Sequence, residues 1–188
     1  SNSPIFKGVS VFLGFLLTFG SAGSLSNIIS GLVLTYMRLF KIGDRVKVGD
    51  VTGDIIERSL VVTRIRTTKN EIISIPNSSI LSNPSTNYSS DAPDKGLVIY
   101  STVTIGYDVP WRDMHQALID AALRCEPILK DPSPFVLQTS LNDFFVSYQI
   151  NAFTSKANMQ ATIYSLLHQH IQDVCNERGI EIMSPHYR

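Results

Sequence analysis

Hydrophobic and polar positions divide the first 40 residues into two helical segments of different character. Residues 5–22 are almost entirely apolar, and Lys7 is the one charged residue among them. A helix of about 18 residues is long enough to cross the hydrocarbon core of a bilayer. Residues 23–40 are instead amphipathic, because apolar residues recur on one side of a helix at Leu25, Ile28, Ile29, Leu32, Tyr36 and Leu39.

Gly23 lies at the boundary between these two segments. We predict a transmembrane helix over residues 1–22 that breaks at Gly23 and continues as an amphipathic helix over residues 23–40. The second helix is suited to lie along a membrane surface or against a folded domain. The apolar pattern leaves open the alternative of a buried helix in a soluble protein. A lone span of this kind also suggests that the chain is a fragment of a larger membrane protein.

Two faces of the apolar helix carry side chains of different size. Phe12, Phe15 and Phe19 recur at i, i+3 and i+7 and therefore share one face. A second face carries small residues, namely Gly14, Thr18 and Ser21. Small residues let helices approach closely in lipid. This pattern fits a symmetric ring in which the small faces pack neighbour to neighbour and the phenylalanines point to the ring axis or to lipid.

Short strands replace helices after residue 40. β-Rich runs are separated by turns at Gly43, Gly49 and Asn70, and Pro76 ends the fourth run. A short helical turn is expected after Pro76. Strands at this spacing are typical of a small β-barrel, which we assign to residues 41–90. The predicted strands cover residues 45–48, 52–58, 60–68, 71–75 and 85–88.

A polar, proline-containing linker over residues 89–94 precedes a second soluble domain, residues 91–188. Its pattern predicts strand, helix, strand, strand, helix, strand, which is the split βαβ or ferredoxin-like arrangement. The fold class is therefore membrane α+β. The predicted elements cover residues 97–105, 109–125, 135–141, 144–153, 156–178 and 180–183.

The charge balance gives no reason to expect a nucleic-acid partner. The chain has 16 basic and 16 acidic residues, so it has no global field that would attract a polyanion. One basic group lies in the barrel region, namely Arg58, Arg64, Arg66 and Lys69. Aliphatic residues separate these side chains, and the aromatic platforms on which RNA bases stack are missing. We interpret the group as a solvated strand face, with attraction of anions near a pore mouth or of lipid head groups as the alternative.

No motif in the sequence points to catalysis or to a metal. Cys125 and Cys175 lie far apart and fit core positions in a reducing compartment. His168 and His170 are two residues apart on a predicted helix, so they diverge and cannot bind one metal ion from one face. We expect all four histidines at the surface or at helix ends. The prediction is a protein that is not an enzyme and that has no cofactor.

Several local motifs, taken together, resemble the small-conductance mechanosensitive channel family. The first motif is Gly23-Ser24-Leu25-Ser26-Asn27, another ends at Asp44, and a third begins at Ile75. The similarity covers nearly the whole chain. Its remaining residues are Gly31, Arg38-Leu39-Phe40-Lys41-Ile42-Gly43-Asp44, Gly53, Ile75-Pro76-Asn77-Ser78 and Asn87-Tyr88-Ser89.

The resemblance implies a homo-oligomeric ring, usually of seven subunits, in a bacterial inner membrane. The last transmembrane helix would line the pore and break at Gly23, with Phe15 and Phe19 in the family's hydrophobic constriction and Phe12 as a further pore-facing candidate. An Sm-like β-domain and the α/β domain would form a vestibule with side portals. Basic residues that follow the helix favour a cytoplasmic location for these domains. They are Arg38, Lys41, Arg45 and Lys47.

The function that follows is a tension-gated channel that releases ions and small osmolytes on hypo-osmotic shock, with membrane lipid and other copies of the chain as its partners. A membrane-tethered β-barrel module that binds RNA or protein without a pore is the alternative. Two departures from the family matter. Three phenylalanines would crowd a narrow axis, and Leu39 replaces a proline that is common in the family, so the helix end is expected to be less sharply fixed.

Overall fold

The computed structural model describes residues 4–183, apart from the side chains of residues 5, 6, 19 and 21, and divides the chain into two units with a boundary after Asn87. The first unit begins with helix α1, Pro4–Met37. A bend of 47° separates its segments Lys7–Thr18 and Ala22–Met37. Among the described residues, no single helix passes a length-and-apolarity test for a membrane span, whereas these two segments pass it together as a broken span.

The predicted break at Gly23 has a different form in the structure. Helical structure continues through Gly23, and the bend lies just upstream, between Thr18 and Ala22. Glycine lowers helix stability by about 1 kcal/mol relative to alanine, but it does not prevent helix formation. The change of direction is therefore a bend within one helix, and a functional hinge at Gly23 stays a prediction.

Five antiparallel strands follow α1 in the order β4-β3-β2-β1-β5. All five correspond to predicted strands. Over residues 4–183 the sheet has β4 and β5 at its two ends, so closure into a barrel stays a prediction. The elements are β1 Arg45–Val48, β2 Val51–Arg58, β3 Val62–Thr67, β4 Ile72–Pro76, α2 Asn77–Ser82 and β5 Ser85–Asn87.

Apolar side chains from the sheet, α1 and α2 form the core of the first unit. β-Branched residues alternate inward along the strands, as period-two patterning requires, and Leu34 and Phe40 join them from α1 and from the segment that follows it. The remaining members of this core are Val46, Val48, Ile55, Ile65 and Ile80. Leu34 of the long helix and Phe40 just beyond its end therefore share a core with the sheet.

The second unit has a three-stranded antiparallel sheet in the order β6-β8-β7, with α4 and α5 packed on a common core. The predicted linker contains one turn of helix, α3, so it is not entirely irregular. The elements are α3 Ala92–Lys95, β6 Leu97–Ile105, α4 Trp111–Arg124, β7 Phe135–Leu141, β8 Val146–Thr154, a 3₁₀ turn Ala157–Met159 and α5 Gln160–Glu177.

The last predicted strand of this unit is wrong as a full strand. Gly179 ends α5 with φ of +66°, and the chain then meets β6 through a single antiparallel bridge between Ile105 and Ile182. The Met183 amide also donates to the Thr104 carbonyl, at 2.8 Å, and the Thr104 hydroxyl donates to the Met183 carbonyl. The order strand, helix, strand, strand, helix is present as predicted, and the ferredoxin-like assignment, which needs the sixth element, stays a prediction.

Candidate functional site

The upstream segment of α1 exposes large apolar side chains on most of its described circumference, outside the sector of Ser10, Gly14 and Thr18. Phe12 and Phe15 are 61% and 59% exposed, and Leu17, about 200° around the helix from Phe15, is 71% exposed. Thr18 donates its hydroxyl to the Gly14 carbonyl at 2.8 Å, which satisfies this polar group inside the helix. The side chains of Phe19 and Ser21 lie outside the described residues. A helix that is apolar over most of its surface is suited to lipid or to other helices.

The downstream segment of α1 has two distinct faces. Ser30, Gly31 and Leu34 are buried against the sheet and α2 of the first unit, which together form the first sheet unit. The opposite face is apolar and exposed, with fractions of 52–90% at Leu25, Ile29, Leu32 and Tyr36. The contact with a folded domain is therefore made mainly by small and polar residues, and the apolar face that the sequence pattern identified points away from it.

Asn27 joins the long helix to α2. Its side-chain oxygen accepts hydrogen bonds from the Ser78 amide at 3.0 Å and from the Ser78 hydroxyl at 2.7 Å. Its amide nitrogen donates to the Gly23 carbonyl at 3.1 Å. The first amides of a helix have no partner inside the helix. Pro76 precedes α2 without a side-chain cap, so Asn27 supplies one from a segment 51 residues away.

Gly31 permits the closest approach between α1 and the sheet unit. A Cβ atom at this position would lie 2.2 Å from the Leu60 carbonyl oxygen and 2.7 Å from the Asn77 side-chain nitrogen. Real Cβ atoms do not approach backbone atoms so closely. The turn between β2 and β3 therefore touches the backbone of α1, and this contact requires glycine.

Asn77 fixes the turn between β2 and β3 through hydrogen bonds. It is 1% exposed, donates its side-chain amide to the Ser59 carbonyl at 3.0 Å and accepts from the Thr63 hydroxyl at 2.9 Å. Its backbone amide donates to the Val61 carbonyl at 2.9 Å. A buried side chain with its polar groups paired is rigid, because each unpaired group would carry a desolvation penalty. Asn77 and Ser78 thus place the turn and α2 against the same stretch of α1.

The end of α1 is held by side chains from two strands. Arg58 donates to the Phe40 carbonyl at 2.6 Å and to the Thr35 hydroxyl at 3.3 Å. Asn87 donates to the Leu39 carbonyl at 3.1 Å. The expected loosening of the helix end at Leu39 is not observed, because direct hydrogen bonds from Arg58 and Asn87 hold this segment.

The basic residues of the sheet are only in part a solvated face. Arg64, Arg66 and Lys69 are exposed as predicted, and Arg64 pairs with Glu57 at 2.7 Å. Arg58 is half-buried and bonded to the end of α1, so its assignment to that face is wrong. Two of the four charges therefore have partners within the first unit, which weakens the case for an RNA-binding surface.

The described residues offer little for catalysis. Residues 4–183 contain no group of three His, Cys, Asp or Glu side chains that could hold a metal ion. Cys125 and Cys175 are core residues, as predicted, and burial raises the pKa of both thiols. His115 does not fit the predicted surface location. Its ring stands edge-on to Trp111 and Tyr148, its Nε2 atom is buried without a hydrogen-bond partner among these residues, and burial lowers its pKa.

Two family models match adjacent parts of the chain. The model described as mechanosensitive ion channel, beta-domain, matches residues 23–90, and the model described as mechanosensitive ion channel MscS, C-terminal, matches residues 99–182. The first match contains Asn27, Gly31 and the Asn77-Ser78 pair, so the junction described above lies within it.

Named relatives agree with these matches. The chain is 24% identical over 176 residues to the miniconductance mechanosensitive channel MscM of Escherichia coli, which covers 94% of this chain and 16% of MscM. It is 26% identical over 145 residues to the small-conductance mechanosensitive channel of Edwardsiella ictaluri, covering 77% of this chain and 50% of that protein. The chain therefore spans between about one sixth and one half of these relatives.

A solved structure shares the fold. The crystal structure of Helicobacter pylori MscS, described as a closed state, matches with a TM-score of 0.81 at 19% identity, covering 100% of this chain and 73% of that chain. At this level of identity the match shows a common α+β architecture.

Proposed function

The chain belongs to the mechanosensitive ion channel family of the MscS type, and on that premise we propose that it is the pore-lining and vestibule part of a subunit that opens under membrane tension. The open pore releases ions and small osmolytes on hypo-osmotic shock. The observation that carries this proposal is the contrast along α1. Its upstream segment exposes large apolar side chains on most of its described surface, whereas its downstream segment is hydrogen-bonded to a folded sheet unit.

The apolar segment supports a gate made of phenylalanine rings. A narrow apolar constriction excludes water and so blocks ions without a plug, and widening it admits water and solutes. We propose that Phe15 and Phe19 form this constriction and that Phe12 is a further pore-facing residue. Lateral tension favours a state of larger area in the membrane plane, in which the upstream segments tilt and the rings separate.

The same segment supports assembly into a ring, which we propose to contain seven subunits. The small face of Gly14, Thr18 and Ser21 suits close packing between neighbouring helices in lipid. We propose that the chains lie in the bacterial inner membrane with both sheet units in the cytoplasm. Arg38 and Lys41 at the end of α1 agree with this orientation, because basic residues are enriched on the cytoplasmic side.

The bend upstream of Gly23 gives the proposed motion a location. The upstream segment can change its tilt at this bend while Asn27 and Gly31 keep the downstream segment on the sheet unit. Gly23, just downstream of this bend, is the proposed hinge, because glycine adds backbone freedom. Through the contacts at Asn27 and Gly31, a tilt of the upstream segment in the membrane then exerts a force on the sheet.

Patch recording of the natural full-length protein, reconstituted in liposomes, tests this function. Stepwise currents that rise with applied suction, together with a detergent-solubilised ring of about seven subunits, are the expected result. A monomer that passes no current and binds RNA in a salt-dependent manner would instead support the tethered binding module.

A further inference from the structure

Arg58 is the last residue of β2, and its side chain reaches the C-terminal end of α1. One guanidinium nitrogen donates to the Phe40 carbonyl at 2.6 Å, and another donates to the Thr35 hydroxyl at 3.3 Å. The Thr35 hydroxyl in turn donates to the Gly31 carbonyl at 2.8 Å. Arg58 is thus connected by hydrogen bonds to the helical turn at which the backbone of α1 touches the sheet unit.

The charge of Arg58 is directed at the end of α1, where Arg38 is the next residue in sequence. The last turn of α1 contains no basic residue. A helix C-terminus carries a partial negative charge, and a cation placed there is stabilising. Arg58 makes no ion pair within 4 Å over residues 4–183, whereas Arg45 and Arg64 of the same sheet unit each pair with a carboxylate. The guanidinium therefore serves backbone and hydroxyl oxygens.

The segment that leaves the helix has a conformation that needs such support. α1 ends at Met37, and Arg38 has φ of +50°, which side-chain-bearing residues seldom adopt. Position 39 is leucine, so no proline ring restricts the backbone there. Phe40 is 5% exposed in the core, and its carbonyl accepts from Arg58. The direction of the exit from the helix is therefore set by side chains from the sheet.

We propose that Arg58 is a positioning residue: from strand β2 it bridges the Thr35 hydroxyl in α1 and the Phe40 carbonyl beyond the helix, and this bridge, the Arg58 cap, fixes the angle at which the helix leaves the sheet unit. This inference rests on the proposed channel function. In that setting, Arg58 resists rotation of the downstream segment, so that tension acting on the upstream segment is concentrated at the bend. Together with Asn27, it fixes the downstream segment at both ends.

Amide hydrogen exchange of the full-length protein in detergent tests the cap directly. Arg58→Gln should speed exchange of the amides of residues 35–41 by about tenfold, because hydrogen bonds to charged groups are among the stronger ones. Arg58→Lys keeps the positive charge and a hydrogen-bond donor, so it should give a smaller increase in the exchange rate. Arg64→Gln is the matched control, since Arg64 pairs with exposed Glu57. Equal exchange in R58Q and R64Q overturns the proposal.

Thr35→Val keeps the proposal testable if the arginine variants do not assemble. Valine removes the hydroxyl partner of Arg58 at almost constant volume. We expect faster exchange over the same residues, by less than in R58Q. Unchanged exchange in T35V, with R58Q unfolded, would contradict the cap.

Patch recording separates a positioning role from a merely structural one. R58Q should assemble into rings of unchanged mass and open at a shifted tension, with R58K closer to the wild-type value and R64Q at that value. An unchanged opening tension in R58Q overturns the proposal. If wild-type protein passes no tension-dependent current, the proposed channel function fails, and the exchange experiment alone decides whether Arg58 caps α1.

Discussion

The side-chain oxygen of Asn27 accepts two hydrogen bonds from Ser78, one from its amide at 3.0 Å and one from its hydroxyl at 2.7 Å. This contact joins the long helix to the first turn of α2 across 51 residues of sequence. Because Asn27 also bonds to the Gly23 carbonyl, its side chain is held at both ends. Asn27 is therefore the position at which α1 becomes attached to the folded sheet unit.

Asn27→Ala should destabilise the first sheet unit by about 1–2 kcal/mol, since it removes the cap of α2 and leaves the Ser78 amide without its partner. The thermal unfolding midpoint of the detergent-solubilised protein measures the loss. Asn83→Ala is the control, because the exposed side-chain amide of Asn83 donates to the Ser79 carbonyl of its own turn. Equal midpoints for the two variants would argue against a capping role for Asn27.

Gly31→Ala should cost about 3 kcal/mol, because the new Cβ atom would lie 2.2 Å from the Leu60 carbonyl oxygen and the backbones must separate. Reduced yield of folded rings in size-exclusion chromatography is the expected readout. Gly8→Ala is the control on the same helix, since a Cβ atom there meets nothing within 4 Å. Normal assembly of the Gly31 variant would show that the helix does not approach the turn so closely.

Asp54→Ala should destabilise the sheet unit by about 3–5 kcal/mol. Asp54 accepts both hydrogen bonds of a bidentate pair with Arg45, at 2.6 and 3.0 Å, and Arg45 is 5% exposed, so the variant removes a carboxylate that pairs with a buried charge. Glu57→Ala removes the exposed partner of Arg64 and should cost at most about 1 kcal/mol. Denaturant midpoints compare the two, and similar losses would contradict the distinction.

His115 should make the second unit sensitive to acid. Burial lowers its pKa, so the unfolded chain binds the proton at higher pH than the folded one. The stabilising effect of neutral His115 is complete above its unfolded pKa of about 6.5 and is lost as pH falls below that value. His115→Phe should therefore flatten the fall of the unfolding midpoint between neutral pH and pH 5. Parallel pH profiles of wild type and His115→Phe would refute this.

Local periodicity was sufficient to predict most elements. Alternation placed the strands, and Leu97–Ile105 and Phe135–Leu141 are observed with the predicted bounds. The motifs that carried the family resemblance contained Asn27, Gly31 and Asn77, but their spacing gives no information about which of them meet. Their roles depend on contacts that join distant parts of the chain, such as Gly31 against Leu60.

Arg58 and His115 show where sequence reasoning failed. Arg58 belongs to a group of basic residues on strands in which apolar and polar residues alternate, and this is the pattern of a solvated face. That pattern does not reveal that the end of β2 lies beside the end of α1. His115 lies one turn from Trp111 on an amphipathic helix, and its burial depends on Tyr148 in β8. Both outcomes are set by tertiary packing.

Single-channel recording of Phe15→Ser tests whether α1 lines a pore closed by apolar rings. A serine ring wets more easily than a phenylalanine ring, so Phe15→Ser should open at lower tension than wild type, and Phe19→Ser should act in the same direction. Leu17→Ser is the control, because Leu17 lies about 200° around the helix from Phe15 and should leave the opening tension nearly unchanged. An unchanged tension in Phe15→Ser, or an equal shift in Leu17→Ser, would contradict a gate at this face of α1.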